Sequence, residues 1–130
     1  MDYTVFSTEF PDVKVFYNEP LKNYTFTKTG GCAAILIFPK DKKEASAVMH
    51  WLREHNIPTT ILGNASNVII KDGGISGAVI MLNDMSHLTV SGTQIVAEGG
   101  VALIDVSKEA AKNGLTGLEF ACGIPGSVGG

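Results

Sequence analysis

Seven consecutive apolar residues, Cys32 to Phe38, stand out from the mixed pattern around them, and Pro39 closes the run. A strand buried on both faces of a sheet reads this way. Asp41-Lys42-Lys43-Glu44 follows with the spacing of a capping box, Asp41 as N-cap and Glu44 at N3. Ala45, Val48, Met49 and Leu52 then recur at helical spacing and predict one apolar helix face. Pro58 sets the helix end near Asn56. Thr59 to Leu62 reads as the next strand, so strand, helix and strand form a βαβ unit with a right-handed crossover.

Weaker patterns flank this unit. Residues 1–22 mix aromatic and charged positions and read as a short helix or irregular arm that packs by its aromatics. In Lys22 to Gly31, Tyr24 and Phe26 alternate with Thr25 and Thr27, which is strand-like, and Gly30-Gly31 can reverse the chain or bring backbone against a ligand. Val68 to Lys71 is a short apolar strand candidate, and Gly77 to Leu82 another. Leu88-Thr89-Val90 and Ile95-Val96-Ala97 around Ser91-Gly92-Thr93 predict a hairpin. Ala102 to Asn113 predicts a second helix, with Asp105 early, Lys108 and Lys112 late, and Gly114 as an αL stop. The fold class is α/β (α+β): a βαβ subdomain and the start of a second, mostly antiparallel one.

The 130 residues are 45% hydrophobic and 18% charged, enough for one domain with a real core. Net charge is −3 with no Lys/Arg cluster, which argues against nucleic acid and anionic membrane as partners. No run reaches the roughly 20 apolar residues of a membrane span. Cys32 and Cys122 are far apart and read as reduced thiols, and the first residues lack the pattern of a signal peptide; the expected location is the cytoplasm.

Two small, glycine-rich stretches carry the candidate chemistry. Gly63-Asn64-Ala65-Ser66-Asn67 follows a strand and has little side-chain bulk, so its N–H groups can cradle a phosphate or pyrophosphate, with Asn64, Ser66 and Asn67 as further donors. Glycine and asparagine also favour plain turns, and a simple strand-turn-strand fits the same residues. Gly123-Ile124-Pro125-Gly126-Ser127-Val128-Gly129-Gly130 is the second stretch. Together they can bracket an anionic ligand such as a dinucleotide, but neither supplies an acid, base or nucleophile. The dinucleotide fingerprint G-x-G-x-x-G after a strand and the P-loop are both absent. His50, His55 and His87 have no metal-ligand spacing. Cys122 reads first as a small buried filler, Trp51 as core or interface, and Asp84, Glu98 and Glu119 as solvated or structural carboxylates as readily as catalytic ones. Because the chain ends within a glycine-rich loop, it is expected to be the N-terminal part of a longer protein.

Three matches in order and spacing carry a family resemblance over about residues 20–130: Asn23-Tyr24-Thr25-Phe26 through Gly30-Gly31; Leu62 to Val68 with Asp72-Gly73-Gly74 and Gly77; and Gly117-Leu118-Glu119-Phe120 with Gly123 to Gly130. In these the chain resembles the UDP-N-acetylenolpyruvoylglucosamine reductases, flavoenzymes of peptidoglycan precursor synthesis, whose FAD-binding fold is of the vanillyl-alcohol-oxidase type. The resemblance implies an arm at 1–22 and an FAD-binding domain from residue 23 that stops short at Gly130. It implies that Gly63, Asn64, Ala65, Ser66 and Asn67 hold the FAD pyrophosphate, and that Gly123, Ile124, Pro125, Gly126, Ser127, Gly129 and Gly130 lie along the flavin and its phosphates. It further implies NADPH as hydride donor and UDP-N-acetylglucosamine enolpyruvate as substrate, with the catalytic serine, arginine and glutamate of the family beyond Gly130. No catalytic residue and no metal ligand is assigned in this chain. Two departures stand out. Ala65 replaces a glycine common in the family turn, which suits alanine if φ is negative there. Thr27-Lys28 replaces a segment that often carries arginine, which puts a flavin or substrate contact there in question. The alternatives are a nucleotide-binding or interaction module without redox chemistry, and another FAD oxidase of the same fold.

Overall fold

A computed structural model describes residues 2–130. Four strands, β1 (Lys14–Pro20), β2 (Cys32–Phe38), β3 (Thr59–Leu62) and β4 (Ile75–Met81), form one sheet in the order β1-β2-β4-β3. Helix α1 (Val5–Glu9) precedes β1, and α2 (Lys42–Glu54) joins β2 to β3. A hairpin of β5 (Leu88–Ser91) and β6 (Gln94–Ala97) follows, then α3 (Leu103–Lys112) and a 3₁₀ turn, Glu119–Gly123. No helix among the described residues is long and apolar enough to cross a membrane.

The apolar run at 32–38 is central as predicted, and its alternation feeds two cores. Ile35 and Ile37 face Val48, Trp51 and Leu52 of α2, together with Ala78 and Ile80 of β4. Leu36 and Phe38 face the opposite way, against Val79, Met81, Leu21, Ala65 and Ile70. Ala33 joins this second side because the β2–β4 register shifts between Ala33 and Ile35. Trp51 is a core residue, edge-on to Phe6 at 5.3 Å, so α1 is fastened to α2 through aromatic rings. Asp41 caps α2 as its spacing predicts, Oδ1 accepting the Glu44 N–H at 2.8 Å. The return bond differs from a standard box: Glu44 accepts from the N–H of Lys40, one residue before the cap.

Four expectations need correction. The βαβ unit is split: β2 and β3 are each parallel to β4, which lies between them. Ala78 to Met81 of β4 are all buried, whereas Ile61 of β3 is 53% exposed, so the more apolar strand takes the centre and β3 the edge. Within the supposed arm, residues 14–20 are β1, antiparallel to β2. Lys22 to Gly31 is not a strand. Leu21–Asn23 is a 3₁₀ turn, Thr25 is buried, and its hydroxyl accepts the Thr29 N–H while donating to the Thr29 carbonyl at 2.8 Å, closing a tight loop. Val68 to Lys71 is also not a strand: it crosses the second sheet face, with Ile70 buried in it and Ile69 85% exposed.

Tyr24 ties that loop to β1 by donating its hydroxyl to Glu19 Oε1 at 2.9 Å. Burial first, and this bond to a carboxylate second, push the phenol pKa up. A folded pKa above the unfolded one means that the contribution is complete below the ordinary tyrosine range. It is lost as pH rises through the folded value. Alkaline titration should therefore show a stability loss beginning above pH ~10, absent in Tyr24→Phe; identical profiles would remove Tyr24 as its source.

Candidate functional site

Strand β3 delivers Leu62 to the edge of the sheet, and the chain turns at Gly63 to Asn67. Asn64 stabilises the turn locally: its Oδ1 accepts the Ser66 N–H at 3.2 Å, an Asx turn. Ala65 has φ +56°, the opposite sign from the one that suits alanine. The left-handed region costs an L-residue roughly 1–2 kcal/mol. Its methyl is buried in the second core cluster, which returns ~0.8 kcal/mol. Burial thus offsets only part of the cost of placing alanine where local sterics favour glycine. The Ala65 carbonyl accepts the Phe26 N–H at 3.2 Å, linking the turn to the 21–31 loop.

The second stretch comes from far along the chain. Its backbone is fastened to residues 99–103: Leu103 donates to Gly126 O at 2.9 Å, Val128 to Val101 O at 2.9 Å and Gly129 to Gly99 O at 2.8 Å. Ser127 pairs with Ala102 in an isolated antiparallel bridge. These bonds set Ser127 and Gly130 directly against Gly63. A Cβ added to Gly63 would lie 2.5 Å from Ser127 Oγ and 3.0 Å from Gly130 Cα. Across the rim, the Asn64 amide donates to the Pro125 carbonyl at 3.0 Å.

A cavity of about 550 Å³ lies between the two stretches. All twelve residues singled out from sequence line it except Gly123, which ends the 3₁₀ turn and is exposed. Ile61, Leu62, Val68 and Leu103 line it as well; Leu62 and Val68 flank the turn in the family-like stretch without an assigned role, and Leu103 arrives only because α3 begins beside Gly126. The wall holds no acidic, basic or thiol side chain. It offers backbone N–H groups and hydroxyls. Among the described residues, the N–H groups of Asn64, Ala65, Asn67, Gly126 and Ser127 meet no protein acceptor. Ser127 is 3% exposed, and its Oγ is the one buried side-chain polar atom among the described residues without a hydrogen-bond partner. An unpaired buried hydroxyl costs about 1–3 kcal/mol. Here it faces a glycine-walled cavity, a donor set suited to an anion.

The other candidates do not converge on this cavity. Asp84 pairs with Lys14 at 3.6 Å, Glu98 with His87 at 3.2 Å, and His50 with Glu54 at 3.2 Å. His55 stacks on Trp51 and its Nδ1 meets the Trp51 carbonyl. Glu119 accepts the Gly117 N–H at 2.9 Å; backbone bonds, its own N–H first and that of Gly117 second, hold its carboxyl below the usual range. Cys122 is exposed rather than a buried filler, because Ala121 is the residue of that turn that points inward. Gly30-Gly31 packs against protein: Gly30 lies against the Ile70 and Leu21 side chains, and a Cβ at Gly31 would fall on the Asp72 carbonyl. No group of three His, Cys, Asp or Glu side chains among the described residues can hold a metal ion.

Residues 33–130 match a family described as FAD binding domain. Among sequence relatives, the UDP-N-acetylenolpyruvoylglucosamine reductase of Listeria monocytogenes is 51% identical over 95% of this chain and 41% of its own. That of Pediococcus pentosaceus is 48% identical over 100% of this chain and 43% of its own. The chain therefore spans about two-fifths of the length of these relatives. The crystal structure of the Thermus caldophilus reductase superposes with a TM-score of 0.66 at 33% identity, covering 91% of this chain and 40% of that one.

Proposed function

This chain belongs to the FAD-binding domain family, and from that premise we propose that the cavity is its FAD pyrophosphate site. One wall is Gly63 to Asn67 and the other Ile124 to Gly130. The observation that carries the assignment is the unpaired, buried Ser127 hydroxyl beside backbone N–H groups, where only glycine fits opposite it. The fold is the FAD-binding type that the resemblance implies, and the residues present fit a diphosphate. Ser127 Oγ and the N–H groups of the turn bind it; the lack of side chains at Gly63 and Gly130 lets the backbone come close. Ser127 is itself buried, so its hydroxyl is a donor for which water competes little.

The longer protein is proposed to be the NADPH-dependent reductase that converts UDP-N-acetylglucosamine enolpyruvate to UDP-N-acetylmuramate for the peptidoglycan of the cell wall, in the cytoplasm. Bound FAD supplies the hydride chemistry of such a reaction. The residues of this chain bind and orient the cofactor and hold none of the acid or base functions, since the cavity wall contains no such group.

The test is titration of FAD into the purified chain, followed by flavin fluorescence and absorbance, beside Ser127→Ala. Saturable binding is expected. The variant should bind several-fold more weakly, while its FAD-free form is as stable as the reference or more so by about 1 kcal/mol, because the unpaired hydroxyl is gone. Unchanged affinity in Ser127→Ala would refute Ser127 as a ligand. Absence of binding, both here and in the longer protein, would refute the site and leave a module without redox function.

A further inference from the structure

Asn64 stands out among the polar residues at the cavity because its side chain is largely committed to protein. Its oxygen accepts the Ser66 N–H within the turn, and its amide nitrogen donates to Pro125 across 61 positions of sequence. Among the described residues no other side-chain hydrogen bond joins the two walls. The sheet bearing Gly63 and the hairpin–α3 unit bearing Ser127 also meet where Ser127 and Gly130 pack against Gly63, and at Leu82, whose carbonyl accepts from Met85 and against which Gly99 and Gly129 pack. Leu82 is not among the residues that line the cavity. The Asn64–Pro125 bond is at its rim.

We infer that the Asn64 side chain is a positioning group, a latch that holds the two walls at the separation an FAD diphosphate requires, rather than a ligand of the diphosphate. The inference rests on the FAD reading above and deepens it. The physical reason is preorganisation. A site whose walls open and close binds with its intrinsic affinity multiplied by the fraction of time spent closed. A rim hydrogen bond raises that fraction without touching the cofactor. Proline at 125 suits the arrangement, since its carbonyl is available while its nitrogen has no proton that would compete for the cofactor.

Two variants separate the latch from the turn. Asn64→Ser keeps an oxygen for the Ser66 N–H and loses the donor to Pro125. Asn64→Asp keeps the acceptor, and its ionised carboxylate repels the Pro125 carbonyl, whereas its protonated form can donate to it. FAD dissociation constants should rise about three- to tenfold in Asn64→Ser, the range of one lost hydrogen bond, and further in Asn64→Asp. The Asn64→Asp defect should shrink as pH falls from about 6 toward 4, into the ordinary carboxylate range, a profile that neither the reference nor Asn64→Ser shows. Urea midpoints without FAD should change little. Equal FAD affinity in the reference and Asn64→Ser, or an Asn64→Asp defect with no pH dependence, would overturn the latch while leaving the FAD site standing. A reference chain, and a longer protein, that bind no FAD would instead overturn the underlying reading and the latch with it.

Discussion

Replacing Gly63 with alanine is expected to weaken FAD binding roughly five- to hundredfold, and replacing it with valine to remove measurable binding. The range follows from overpacking, which costs about 1–3 kcal/mol when the neighbours must move. At 1.4 kcal/mol per tenfold in affinity, the effect is large if it falls on the bound state. The neighbours here are Ser127 Oγ at 2.5 Å and Gly130 Cα at 3.0 Å from the new Cβ. Residues 126–130 cannot retreat freely, because Gly126, Val128 and Gly129 are hydrogen-bonded to residues 99–103. The added carbon therefore pushes the Ser127 hydroxyl out of line or fills the space a diphosphate would take. The φ of Gly63 is not in the left-handed region, so the chain should still fold. Gly123→Ala is the matched control: nothing lies within 4 Å of its added Cβ, and the residue is outside the cavity wall. It should bind FAD within about twofold of the reference, well inside the 1.4 kcal/mol that a tenfold change represents. Similar affinity in Gly63→Ala, measured by the same fluorescence titration, would mean that the two walls do not meet around the cofactor.

The largest stability loss is expected for Gly74→Ala, at about 3 kcal/mol or more, from combined backbone strain and a clash that packing cannot relieve. Gly74 has φ +75°, and a Cβ there would fall on the carbonyl oxygen of Cys32 and lie 2.7 Å from its nitrogen. That backbone belongs to the first residue of β2, so it cannot yield without disturbing the central strand pair. Gly31 meets the same crossing from the other side, against the Asp72 carbonyl and the Gly74 nitrogen. One glycine of each pair, Gly31 and Gly74, thus lets two backbone segments pass within contact distance just before β2 and β4 begin. Gly73→Ala, one residue away, meets nothing within 4 Å and is not at positive φ. It should be neutral or stabilising by up to ~1 kcal/mol, because alanine has less freedom to lose on folding. Urea unfolding of the two variants side by side is the measurement. Equal midpoints would show that the crossing is looser than the structure describes. Against a total stability of about 5–15 kcal/mol for an ordinary domain, a 3 kcal/mol loss should be visible in the yield of folded protein.

By itself the sequence determined the elements whose forces are local. The run at 32–38, the Asp41 cap, the apolar face of α2, the hairpin around Gly92 and the αL stop at Gly114 all follow from periodicity, capping and turn chemistry within a few residues, and the structure has each of them. The two small glycine-rich stretches were legible for the same reason: absence of bulk can be read directly. Only the tertiary structure decided what these pieces do to one another. Which strand takes the centre depends on what covers each face of the sheet, so β4 displaced β3 from beside β2. Tyr24 to Thr27 and Val68 to Lys71 alternate in polarity or are apolar like strands, yet they serve as loops that cover the second core, where one buried side chain matters more than a ladder. The sign of φ at Ala65 runs against alanine's own preference, with its methyl buried in the second core, so the tertiary fold and not the residue chose it. The cavity itself requires Gly63 to meet Ser127 and Asn64 to meet Pro125, contacts about sixty positions apart that no local pattern encodes. Local interactions choose the elements, but burial and backbone hydrogen bonding across the whole chain choose their neighbours, and the binding site exists only between neighbours.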